Sequence, residues 1–87
     1  MKDIRDFNLA DTARITGINP VTLRRHIDND WLEAYQDKPG GAWHIDAQEI
    51  IDYAFAKWAD GTVTMYPPQN IAKHINLIME ERKGGRR

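Results

Sequence analysis

The stretch TGINP, residues 16–20, constrains this chain more than any other, because it holds a helix stop and a helix start with almost nothing between them. Gly17 stands where a helix commonly ends in a left-handed residue, and Ile18 supplies an apolar contact just beyond it. Asn19 is a good N-cap, and Pro20 follows at the first helical position, where its missing N–H costs nothing and its φ is already helical. The chain must therefore turn between two helices within about three residues. Upstream, LADTARIT (9–16) places Leu9, Ala10, Ala13 and Ile15 on one side at helical spacing behind Asn8, a second N-cap. Downstream, PVTLRRHID (20–28) turns Leu23 and Ile27 to the core and leaves Val21, Thr22, Arg24, Arg25 and Asp28 over the remaining surface.

Two short runs follow, WLEAYQ and AWHI, separated by DKPGG, and they read as a β-hairpin with its tip at 38–41. Asp46, with Glu49 three positions on, has the spacing of a capping box and predicts a third helix. Ile50, Ala54 and Trp58, flanked by Ile51 and Phe55, form its apolar stripe, and Gly61 ends it. TVTMY (62–66) suits a short strand before Pro67 and Pro68. The next segment puts Ile71, Ile75, Ile78 and Met79 on one face of an amphipathic helix. That helix either completes the chain's own core, the reading favoured here, or provides a contact between copies. The end, GGRR, lacks apolar residues and is expected to be a disordered basic tail. The organisation expected is thus a mainly α domain with a small β-hairpin over 1–61, an extension with the amphipathic helix over 62–83, and a tail over 84–87.

Composition narrows the function. A chain of 87 residues holds one domain with one modest core. Without cysteine there is neither disulfide nor thiolate zinc site, and His26, His44 and His74 are too scattered to make a ligand pair on one helical turn, so no metal or other cofactor is expected. The mean hydropathy of -0.65 leaves no candidate membrane span, and MKDIRDFN lacks the apolar stretch of a signal peptide, so a cytoplasmic protein is expected. Enzymatic readings find no support: no Gly-rich phosphate loop, no cysteine nucleophile and no Ser-His-Asp order near a strand-to-helix turn. The formal charge of -1 means that any DNA-binding surface must be local, because such affinity comes largely from Lys and Arg at phosphates.

The order helix, Gly turn, Pro-started helix, Gly-tipped hairpin, helix is that of a winged helix-turn-helix. Over about two thirds of its length, from LADTARITGINPVTLRRHIDNDW through the hairpin to DAQEIIDYA, the sequence resembles the MerR-like and phage-excisionase-like winged-helix superfamily. The matching residues are Ala13, Gly17, Ile18, Pro20, Thr22, Leu23, Arg24 and Arg25, followed by Trp31-Leu32 at the turn into the hairpin, Gly40 and Gly41 at the wing tip, and Asp46 as the next cap. The sequence departs from the pattern at His26, where an aromatic is common, at Asn29-Asp30, and at Ala42 and Trp43, which replace wing arginines.

The resemblance implies a recognition helix over 20–28 in the major groove and a wing over 38–43 near the minor groove or backbone. It also implies a sequence-preferring double-stranded DNA-binding protein of phage or mobile-element type. Such a protein acts as a transcription regulator or an excisionase-like factor in DNA recombination, assembles as several copies on DNA, and has a recombinase or another phage or host protein as a further partner. A protein-interaction module and a terminase-like DNA-recognition subunit are the rival readings. On the first reading Arg24 or Arg25 reads a base. Thr22 and Asn19 meet phosphate or base edges at the helix start, Val21 touches a thymine methyl, Arg14 and Lys38 anchor phosphates, and the backbone around Gly40 and Gly41 completes the wing contact. Trp31, Tyr35 and Trp43 are read as core filling that holds the wing against the helices rather than as a stacking platform, and His26 and His44 as structural.

Overall fold

The computed structural model describes residues 4–84, and its elements follow from local chemistry. Helix α1 (Leu9–Thr16) opens at Asn8, whose Oδ1 accepts the Asp11 N–H at 2.7 Å. It closes at Gly17, with φ +78°, whose N–H donates to the Ala13 carbonyl at 2.8 Å. The buried side of α1 is Thr12, Ile15 and Thr16; Leu9 and Ala13 pack at its margin, and Ala10, expected inside, is exposed. The threonines go in because their hydroxyls are satisfied within the helix. Thr12 Oγ1 donates to the Asn8 carbonyl at 2.9 Å and Thr16 Oγ1 to that of Thr12 at 2.7 Å, which frees both methyl groups for packing.

Helix α2 (Pro20–Asp28) starts at Asn19, which accepts the Val21 N–H at 2.8 Å, and buries Leu23, His26 and Ile27. Its end is a Schellman arrangement: Asp30 is left-handed at φ +64°, its N–H donates to Ile27, and the Trp31 N–H donates to His26 at 2.9 Å. The resulting turn drops Leu32 into the core.

Three short strands, β1 (Asp6–Phe7), β2 (Tyr35–Gln36) and β3 (Trp43–Asp46), form an antiparallel sheet in the order β1-β3-β2. The hairpin of β2 and β3 is as the sequence predicts, with Tyr35 opposite His44 and Gln36 opposite Trp43. Strand β1 is an addition, pairing Phe7 with Ile45. Helix α3 (Ala47–Asp60) is capped by Asp46, which accepts the Gln48 N–H and is held by Arg5 at 2.9 Å. The capping box is half formed: the Glu49 carboxylate accepts the Glu33 backbone N–H instead of returning to its own cap. The apolar stripe is rotated from the expected one, with Ala47, Ile50, Tyr53 and Ala54 buried while Phe55 and Trp58 are each 47% exposed.

Residues 62–66 form no strand, because the Tyr66 N–H pairs with the end of α1, donating to Thr16 at 3.0 Å. Helix α4 (Pro68–Gly84) folds back on α1 and α3 and buries Ile71 and Ile75 completely. It includes Gly84, the first residue of the expected disordered tail; residues 85–87 lie outside the described part. Arg82 fastens α4 to β1, donating to the carbonyls of Ile4 at 2.9 Å and Asp6 at 2.7 Å with its guanidinium over the Phe7 ring. One apolar cluster, from Phe7 through Leu23, Ile45 and Ile50 to Ile75, joins every helix to the sheet. No helix among the described residues is long and apolar enough to cross a membrane.

Candidate nucleic-acid interface

The buried residues of α2 lie on one side of it, so helical geometry fixes its outward face. Val21, Arg25 and Asp28, at spacings of four and three, project away from Leu23 and Ile27, with Arg24 on one flank and Thr22 on the other. Val21 is 71% exposed, Arg24 and Arg25 are exposed, and Thr22 is half-buried. Asn19 begins this face, and its side chain is committed to the helix start.

The two arginines differ. The Arg24 guanidinium lies over the Trp43 ring at 5.2 Å, while its Nε donates to Asp28 at 3.3 Å. Helix α2 and the hairpin are thereby connected, and the Asp28 charge is balanced by its neighbour. Arg25 forms no ion pair or side-chain hydrogen bond among the described residues, and its charge helps hold the His26 pKa down. At the hairpin tip, residues 38–41 make a tight turn with Pro39 second and Gly40, at φ +79°, third, as a type II turn requires. The Gly41 N–H donates to the Lys38 carbonyl at 2.9 Å, so of the backbone donors at the hairpin tip this one is occupied, while the Lys38 side chain is exposed. Arg14 lies on α1 in an exposed pair with Asp11 at 2.7 Å.

Two of the three aromatic residues correct the sequence reading. Trp31 is 41% and Tyr35 61% exposed, and of the three only Trp43 is largely covered. Trp31 and Tyr35 each pack on a histidine rather than in the core, whereas Trp43 is partly buried against it, as expected. Trp31 covers His26 at 4.8 Å between ring centres and is itself capped by the Lys57 ammonium at 4.1 Å. Tyr35 stacks on His44 at 5.1 Å.

His26 is buried, and its Nδ1 lies 2.6 Å from the Tyr53 hydroxyl. Desolvation, with Arg25 and Lys57 nearby, lowers the His26 pKa, and burial pushes the Tyr53 phenol up to about 12, so a neutral imidazole is paired with a protonated phenol. His44 has the carboxylate partners that its sequence neighbourhood does not suggest: Asp6 at 2.9 Å on Nδ1 and Asp37 at 3.3 Å on Nε2. The hydrogen bond to Asp6, with the charges of both carboxylates, raises its pKa.

Beside the hairpin lies an acidic cleft of about 270 Å³ lined by Glu33, Ala34, Tyr35, His44, Asp46 and Glu49. Desolvation and the neighbouring Glu33 raise the Glu49 pKa. This cleft repels phosphate, so a nucleic-acid footprint would have to be confined to α2, the hairpin tip and the α1–α2 turn. Tyr66 and Arg82 also bear on that surface or its support, and local pattern gave no signal for either, since each acts through a contact far along the chain. Comparison with protein-family models, with curated proteins and with solved structures finds no match to this chain.

Proposed function

We propose that the protein is a winged helix-turn-helix that binds double-stranded DNA with sequence preference, and that it acts as a transcription regulator or an architectural factor in recombination. The observation that carries the reading is the outward face of α2, where Val21 and Arg25 stand exposed on a helix held by a tight turn to α1, with Arg24 bracing the hairpin. Arg25 then takes the base-reading role, as an arginine paired with guanine O6 and N7 discriminates by about 1–3 kcal/mol. Arg24 sets the distance between helix and wing. Lys38 and Arg14 are candidate phosphate anchors.

The test is selection from a random duplex library, followed by binding of the enriched duplex across a salt series. Expected are an enriched motif, a log affinity that falls linearly with log salt by about 0.9 for each phosphate neutralised, and loss of the preference when Arg24 and Arg25 are both replaced by Ala, with the helical CD spectrum retained. Undiminished motif-specific binding by that variant refutes the role given to α2. A second reading, a protein-interaction module, is favoured by the acidic cleft with Tyr35 at its wall and Trp31 nearby. Failure to enrich any duplex would select it.

A further inference from the structure

We infer that Tyr66, from the segment that follows α3, supplies a neutral phosphate contact at the turn between α1 and α2; this rests on the DNA-binding reading above. Three observations meet at this residue. The phenol end of its ring lies directly on Gly17: a Cβ built on that glycine would stand 2.9 Å from Tyr66 Cζ and 3.0 Å from Cε2. The Tyr66 N–H is bonded to the Thr16 carbonyl at 3.0 Å, so backbone and ring are both pinned to the end of α1. Yet the residue is 54% exposed, and its hydroxyl has no hydrogen-bond partner among the described residues. The adjacent Met65 is buried and already anchors this segment in the core, so apolar packing does not account for an exposed tyrosine.

The position matters because Gly17 is two residues from Asn19, the cap of α2. With α2 in the major groove, its first turn approaches the sugar-phosphate backbone, and a phenol fixed on the preceding turn lies beside that backbone. A tyrosine O–H donates well to a phosphate oxygen, and its hydrogen bond to an ionised acceptor is stronger than one between neutral groups. The contact also bears on the charge of the chain. A net charge of -1 gives the protein no general attraction for phosphates and confines its cationic contacts to a local surface, where a hydroxyl donor adds affinity without adding charge.

This distinction supplies the test. Binding of a fluorescein-labelled mixed-sequence duplex several helical turns long is measured by anisotropy over a salt series for the wild type, Tyr66→Phe and Lys38→Ala, with thermal unfolding of each. Phenylalanine keeps the ring on Gly17 and removes only the exposed hydroxyl. Tyr66→Phe is expected to weaken binding about fivefold at every salt concentration, giving a line parallel to the wild type, with an unchanged unfolding temperature. Lys38→Ala, which removes a cation assigned to phosphate, is expected to weaken binding by an amount that shrinks as salt rises.

Equal binding by Tyr66→Phe and wild type, with Lys38→Ala impaired, overturns the role of Tyr66 and leaves the DNA-binding reading standing. Weaker binding that tracks a lowered unfolding temperature assigns Tyr66 to structure and overturns it as well. A wild type that binds no duplex removes both.

Discussion

Replacing Gly17 by Ala separates two costs that the fold imposes at one position. The first is conformational: Gly17 has φ +78°, and an L side chain in the left-handed region costs about 1–2 kcal/mol. The second is steric, since the new Cβ would lie 2.9 Å from Tyr66 Cζ and the ring would have to move. The contact is with the far, solvent-facing end of the ring, which can give slightly without leaving the turn, so this adds only about 1 kcal/mol, the low end for an overpacked site. Gly61 provides the control, because it has φ +70° and nothing within 4 Å of a built Cβ, and so bears the first cost alone. Urea unfolding followed by far-UV CD should therefore give Gly61→Ala a loss of about 1–2 kcal/mol and Gly17→Ala a loss of about 2–3 kcal/mol. The difference should vanish when Tyr66→Ala is the background for both. An equal loss at the two glycines, or an excess at Gly17 that survives removal of the Tyr66 ring, would refute the reasoning.

Ile75→Ala removes a fully buried side chain of α4 and should cost about 2–5 kcal/mol, readable as a cooperative drop in the whole CD transition; a local change confined to α4 would show that the helix folds independently. Arg24→Ala gives up one exposed ion pair and one exposed cation–π contact, about 1 kcal/mol together, whereas Arg25→Ala should stay within about 0.5 kcal/mol of the wild type, both measured by urea unfolding. The pairing of His44 with Asp6 and Asp37 raises its folded pKa above 6.5, so its contribution is complete below pH 6.5 and fades as the pH climbs through the folded value. Relative to His44→Asn, the wild type should therefore lose stability between weakly acidic and alkaline buffer, and parallel pH profiles would refute the pairing.

The parts of the fold legible in the sequence were those whose chemistry is local. Asn8, Asn19 and Asp46 cap the helices they were expected to cap, Gly17 and Gly61 end theirs, and Pro39 and Gly40 turn the hairpin. What could not be read depended on partners far along the chain. Strand β1 is two residues long and exists only because Phe7 meets Ile45. Residues 62–66 carry a strand-like alternation, and Val63 and Met65 do turn inward, but the backbone finds α1 rather than a strand. The stripe of α3 is displaced because Tyr53 is drawn in to His26, which leaves Phe55 and Trp58 outside. At the candidate interface, the exposure of Val21, Arg24 and Arg25 followed from helical spacing alone. Their inequality did not, because it arises from Trp43 on another element.

Arg82 has a consequence for association. Its bond to Ile4 closes a separation of 78 residues, so it forms only when nearly the whole chain is in place, and it holds β1 against β3. Should that clasp open, β1 would rest on Phe7 and on the Arg5–Asp46 and Asp6–His44 pairs, and the Ile45–Asp46 edge of β3 would be less securely covered. An uncovered edge of this kind is a template for strand pairing between molecules. A guanidinium on the last turns of the final helix thus acts as a latch on the sheet, and the protein's resistance to aggregation would depend on a residue remote in sequence from the edge it guards.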